Sequence, residues 1–234
     1  IAKYINASSQ QEIIYTSGAT EGINMIAFGL NLQPDDEILI LESEHHANIL
    51  PWIEAGATCK IVKITADGII DIEDFQKKIS KKTKLIALAH ISNVLGAENP
   101  IKEIARIAHE YGIKILIDGA QSLSHAKIDV HEWECDFFVT SAHKAYGPNG
   151  IGFLYCKESI LRELRPLKFG GGTVKKVTFD NVIYKSAPEK FETGTPNMIG
   201  IAGMNAMVKF LSQLNFEDVK LHLYNLSICA RNII

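Results

Sequence analysis

The sequence predicts an α/β protein with a mostly parallel seven-stranded sheet flanked by helices. Three observations carry this reading. Short runs rich in β-branched and aromatic residues alternate with longer helical patterns along the chain. The short runs are continuously apolar rather than alternating, as strands are when helices cover both faces of their sheet. The intervening helical segments are amphipathic and punctuated as helices are: the stretch at 100–112 has Pro100 near its first turn and Gly112 at its end.

In chain order, strands are expected at "EIIYT" from Glu12, "EILILES" from Glu37, "CKIVKI" from Cys59 and "KLIALAHIS" from Lys84. Three more follow at "IKILID" from Ile113, "DFFVTS" from Asp136 and "GFLYC" from Gly152. Helices are expected at "TEGINMIAFGL", "DIEDFQKKIS" and "PIKEIARIAHEYG", then from Ile199 to Leu214 and from Phe216 to the end. Residues 1–166 thus read as the sheet core, 167–198 as loops and 199–234 as helices leading out of it. The opening "IAKYINASS" reads as the tail of a helix, and the last stretch has no capping Gly or Pro. Both ends therefore read as cut, as in a piece of a longer protein.

Composition narrows the function. A net charge of −3 with scattered basic residues argues against a dedicated nucleic-acid binder. The run Lys81, Lys82 and Lys84 reads as a solvated face. Cys59, Cys135, Cys156 and Cys229 form no CxxC and suggest neither a zinc site nor a disulfide framework. There is no signal-peptide pattern and no apolar run long enough to span a bilayer, so a cytoplasmic protein is expected. The sequons at Asn6 and Asn225 read as chance matches.

Ligands of parallel α/β sheets collect at the carboxyl ends of the strands, and those ends are chemically rich here. Ser17, Gly18, Ala19 and Thr20 follow the first strand and open a helix. They form either an anion site, with backbone N–H groups aimed at a phosphate, or a helix start capped by Thr20. Glu44, His45 and His46 follow the second. A histidine there could stack on a ring, move a proton or bind a metal, but no second ligand pair is spaced to complete a metal site. Asp118 ends a strongly apolar strand, where a carboxylate needs a cation or donors unless it caps the next helix. Lys144, with Ser141 and His143 beside it, is either a snorkelling surface lysine or a Schiff-base nucleophile. Together a phosphate-binding helix start, an aspartate for a pyridinium nitrogen, a stacking histidine and a Schiff-base lysine suit pyridoxal 5'-phosphate.

The segments "TSGATEGIN", "ESEHHANILPW", "HISNVLGAENP", "IDGAQ", "SAHKAYGPNGIGFLY", "FGGG" and "FETGTPN" resemble, in order, the cysteine desulfurases of the class V aminotransferase family. These are NifS-like, fold-type I pyridoxal-phosphate enzymes. The forms "EHHANILPW" and "SNVLG" are most similar to the SufS/CsdA branch, which includes selenocysteine lyases. The resemblance implies that residues 1–234 are the cofactor-binding large domain, with the small C-terminal domain absent. It implies Lys144 as the Schiff-base lysine, Asp118 as partner of the pyridine nitrogen and Gln121 as partner of the ring's phenolic oxygen. His45 would stack on the ring and shuttle protons. Thr20, Ser141 and His143, with the Ala19 and Thr20 backbone, would hold the phosphate. Thr195 would reach the phosphate of a neighbouring subunit in a homodimer, and Asn93 would lie near the substrate carboxylate.

In such an enzyme L-cysteine takes the lysine's place, and a protein thiolate attacks the substrate sulfur. A persulfide forms and alanine leaves. The sulfur then passes to an acceptor of the SufE/SufU type for iron–sulfur cluster assembly. The family's nucleophilic cysteine and substrate-gripping arginine lie in its C-terminal portion, and none of the four cysteines here fits that nucleophile's motif. All four read as small buried hydrophobes. The alternatives are a selenocysteine lyase, another class V aminotransferase, or a non-catalytic pyridoxal-phosphate-binding piece.

Overall fold

All seven apolar runs become strands of one sheet in a computed structural model, which describes residues 1–232. They are β1 (Ile13–Thr16), β2 (Glu37–Leu41), β3 (Thr58–Val62), β4 (Thr83–Ala89), β5 (Lys114–Asp118), β6 (Phe137–Ser141) and β7 (Gly152–Cys156). Their spatial order is β1-β7-β6-β5-β4-β2-β3. Neighbours from β3 to β6 run parallel, and β7 is antiparallel to both β6 and β1. In the five central strands β2, β4, β5, β6 and β7 the apolar positions are buried whichever face they occupy, apart from the half-buried Ala89 at the cavity end of β4, which is why those runs do not alternate.

Two apolar clusters cover the two faces. On one lie α1 (Ala19–Gly29) and α2 (Leu50–Glu54), through Ile23, Ile26 and Trp52. On the other lie α3 (Ile72–Lys78) and α4 (Ile101–Glu110), through Phe75, Ile104 and Ala108. Each fully buried Ile, Leu or Phe contributes about 1.5–3 kcal/mol to this core. The chain continues through α5 (Glu158–Leu161), β8 (Val174–Val177), β9 (Val182–Tyr184), α6 (Met198–Leu211) and α7 (Phe216–Arg231).

Several local expectations are corrected. The opening residues close turns, with the Tyr4 and Ile5 N–H groups donating to the Ile1 carbonyl at 2.7 and 3.1 Å, but form no helix. The loop stretch 167–198 contains the β8–β9 hairpin, whose mostly exposed "VKKV" and "VIY" leave no buried alternation to read. The short helices α2 and α5 also escaped notice. Thr20 is not the N-cap of α1. Gly18 is, and it brings no capping side chain. Of the cysteines, Cys135 and Cys156 are buried, but Cys59 is half-buried on the sheet edge and Cys229 is exposed on α7. None of the described residues of α7 is buried.

Two glycines are required by close approach. A Cβ on Gly119, just after β5, would lie 2.1 Å from two ring carbons of the buried Phe138, so any side chain there forces the ring or the backbone to move. One on Gly152 would lie 2.2 Å from the Thr140 carbonyl and 2.7 Å from Gly18 Cα. That contact seats the start of α1 against the ends of β6 and β7.

Candidate active site

The carboxyl ends of the parallel strands converge on a cavity of about 300 Å³. Nine of the residues singled out from the sequence line it: Ala19, Thr20, His45, Asn93, Asp118, Gln121, Ser141, His143 and Lys144. Ala47, Ala89, Ile91 and Ala120 complete the wall. Thr195 is not among them. It is exposed and lines a second cleft with Tyr15, Glu21, Lys168 and Glu192.

Asp118 forms the floor. It ends β5 with its side chain buried, and the sole hydrogen bond its carboxylate accepts among the described residues is the Ala120 N–H on Oδ1 at 2.9 Å. Burial pushes its carboxyl above the usual carboxylate range, opposed by that N–H and by the charges of Lys144 and His45. A buried carboxylate with an oxygen to spare calls for a cationic or N–H partner.

The start of α1 forms one wall. Ser141, at the end of β6, accepts the Ala19 N–H on its Oγ at 2.8 Å and so supplies the cap that Gly18 lacks. The Ala19 N–H is therefore already engaged. The Ser141 O–H stays a donor, beside the exposed Thr20. Helix N-termini favour anions.

Lys144 closes the one-turn 3₁₀ segment Ala142–Lys144. Its backbone is fixed: its carbonyl accepts the Ser124 hydroxyl at 3.1 Å, and the Ala145 and Gly147 N–H groups both donate to the Ala142 carbonyl at 2.9 Å. The side chain is exposed at the cavity rim, and Nζ has no ion-pair or hydrogen-bond partner among the described residues. A free amine on a rigid turn can meet an electrophile in the cavity.

His45 lines the same cavity, half-buried at the start of the turn His46–Asn48. Its ring lies 4.0 Å from that of His46, centroid to centroid. Burial lowers its pKa, with His46 and Lys144 acting in the same sense and Asp118 against. No group of three His, Cys, Asp or Glu among the described residues is arranged to hold a metal ion.

Two further buried residues, Glu44 and Asn99, hold the backbone of Ala89 in the cavity wall. Glu44 accepts the Ala89 N–H at 2.8 Å and the Asn48 side-chain amide at 2.7 Å. Asn99 donates to the Ala89 carbonyl at 2.8 Å and accepts the Ile70 N–H at 2.8 Å. The sequence offers only one signal for them, polar residues placed just after apolar runs.

The family model for class-V aminotransferases matches residues 1–234. The chain belongs to the class-V aminotransferase family. Among curated proteins, this class-V chain is 46% identical over 234 residues to a probable cysteine desulfurase of Halalkalibacterium halodurans, covering 97% of this chain and 58% of that protein. Among solved structures it is similar to the cysteine desulfurase CsdA of Escherichia coli, with a TM-score of 0.88 and 36% identity over 92% of this chain and 56% of that one. It is also similar to the apo cysteine desulfurase of Thermococcus onnurineus, with a TM-score of 0.93 and 32% identity over 99% of this chain and 59% of that one. The chain thus spans under three fifths of the length of these relatives. The likeness assigns the fold to the fold-type I group, as the motifs implied. No helix among the described residues is long and apolar enough to cross a membrane.

Proposed function

We propose that the chain is the pyridoxal-phosphate-binding large domain of a cysteine desulfurase that converts L-cysteine to L-alanine and a protein-bound persulfide. One observation carries the reading: a buried carboxylate, a free lysine amine and a helix N-terminus meet in one cavity at the strand ends. The residues fit the cofactor. Asp118 has one oxygen engaged by Ala120, leaving the other for a proton-bearing ring nitrogen. The Ser141 and Thr20 hydroxyls and His143 suit a phosphate beside α1. Lys144 supplies the amine for the aldehyde, Gln121 a donor for the phenolic oxygen, and His45 a ring to lie over the pyridine.

Bound there, pyridoxal phosphate supplies an electron sink for cleavage next to the substrate's α-carbon. The chain's own residues do the rest. Asp118 holds a proton on the ring nitrogen, Lys144 accepts and returns a proton once freed, and Asn93 orients the substrate carboxylate. Thr195, exposed outside the cavity, would serve the phosphate of a second subunit in a homodimer. The same proposal gives the whole protein a small C-terminal domain, a cytoplasmic place, a SufE/SufU-type sulfur acceptor and a role in iron–sulfur cluster assembly.

The test is product analysis of the protein from its complete reading frame, given L-cysteine or L-selenocysteine. Alanine with enzyme-bound persulfide from L-cysteine supports the reading. Alanine from selenocysteine alone makes it a lyase, and amino transfer to a keto acid makes it an aminotransferase.

A further inference from the structure

Glu44 is a buried carboxyl group for which the chemistry above has no use, 9% exposed and adjacent in sequence to His45. It joins two elements. Its Oε1 accepts the N–H of Ala89, which ends β4, and its Oε2 accepts the Asn48 amide. Asn48 in turn closes the His45 turn, donating its own N–H to the His45 carbonyl at 2.8 Å. The Asn48 side-chain oxygen accepts the indole N–H of the fully buried Trp52 at 3.2 Å. The turn is thus clamped between α2 and the sheet. Ala89 is also the register partner of Asp118 on β5, so the clamp fixes the two faces of the cavity relative to each other.

Inside the clamped turn the Ala47 N–H points at His45 Nδ1, 3.1 Å away. A donor there can be met only by a lone pair, so the proton of the neutral ring must sit on Nε2. We propose that Glu44 is a positioning residue that holds His45 as its Nε2–H tautomer, with Nδ1 facing Ala47 as the acceptor. The consequence for chemistry is directional. His45 offers a hydrogen from Nε2, and it takes a proton there only after the Ala47 hydrogen bond breaks and the ring changes tautomer. The groups bearing on its charge are His46, Lys144 and Asp118, and burial adds to the bias toward the neutral ring. The tautomer follows from the chain alone; its relevance to cofactor chemistry rests on the function proposed above.

The experiment is ¹⁵N–¹H correlation spectroscopy of the 234-residue chain with labelled histidine, His45 being assigned by the signals lost in His45→Gln. The expected spectrum without cofactor has Nδ1 at the unprotonated position and Nε2 at the protonated one. In Glu44→Ala the two resonances shift toward averaged positions and the ring protonates at higher pH. Asn48→Ala, which removes one partner of Glu44, serves if Glu44→Ala does not fold and is expected to shift them in the same direction. A proton on Nδ1 in the unsubstituted chain overturns the tautomer. A folded Glu44→Ala chain that is less stable but keeps its His45 shifts and titration overturns the positioning role. Titration of each chain with pyridoxal phosphate reads the cofactor assignment separately, because failure to bind it leaves the tautomer result standing.

Discussion

Replacing Gly119 by alanine tests the close packing beneath the cavity. The added Cβ would stand 2.1 Å from Cε2 and Cζ of Phe138 and 3.0 Å from Cε1. Carbon atoms at rest stay about 3.5–4.0 Å apart, so ring or backbone must move by about 1.5 Å. The ring has nowhere to go: it is fully buried, with the rings of Phe153 and Trp133 at centroid distances of 6.0 and 6.2 Å. Overpacking of this kind costs about 3 kcal/mol. Phe138→Leu removes the clashing ring carbons, so in that background Gly119→Ala should cost only about 1 kcal/mol. The coupling of about 2 kcal/mol lies within the range for residues in contact. Urea denaturation of the four chains, followed by far-ultraviolet circular dichroism, gives all the values. A cost below about 0.5 kcal/mol for Gly119→Ala, or the same cost in both backgrounds, would refute the argument.

Two further outcomes follow from the site. Ser141→Ala removes the acceptor of the Ala19 N–H and should destabilise the chain by about 1 kcal/mol. It should also weaken pyridoxal-phosphate binding on the order of tenfold, which fluorescence titration measures; Ser141→Thr should restore both. The Glu44 carboxyl is pushed up to about 8, chiefly by burial, with the Asp118 charge adding and the Asn48 and Ala89 donors opposing. Its folded value lies above its unfolded one, so its contribution to stability is full below about pH 4.5 and declines as pH rises through about 8. Glu44→Gln should lack that decline, on the order of 4 kcal/mol, in urea titrations at pH 5 and pH 9. Equal slopes in both chains would contradict it.

The sheet was legible because covering on both faces leaves each central strand a continuous apolar run, and the strand ends were legible because polar residues follow those runs abruptly. What escaped was set by contacts distant in sequence. The cap of α1 comes from Ser141, 122 positions away, so local pattern pointed to Thr20 instead. The clamp on His45 depends on Ala89, 45 positions from Glu44, and no spacing rule reveals it. The β8–β9 hairpin carries little buried surface, which removes the alternation that marks a strand. Cys59 and Cys229 were read as buried because cysteine usually is, but an edge strand and the uncovered α7 leave them open.

The central claim is that Lys144 stands where a cofactor aldehyde would meet it, with Asp118 beneath. The most direct measurement is to incubate the chain with pyridoxal phosphate, reduce it with borohydride, digest it and locate the phosphopyridoxyl group by mass spectrometry. The expected result is a single modified lysine, Lys144, and a visible absorbance band that reduction abolishes and Lys144→Ala never develops. Label scattered over the surface lysines, or an equal yield in Lys144→Ala, would contradict it.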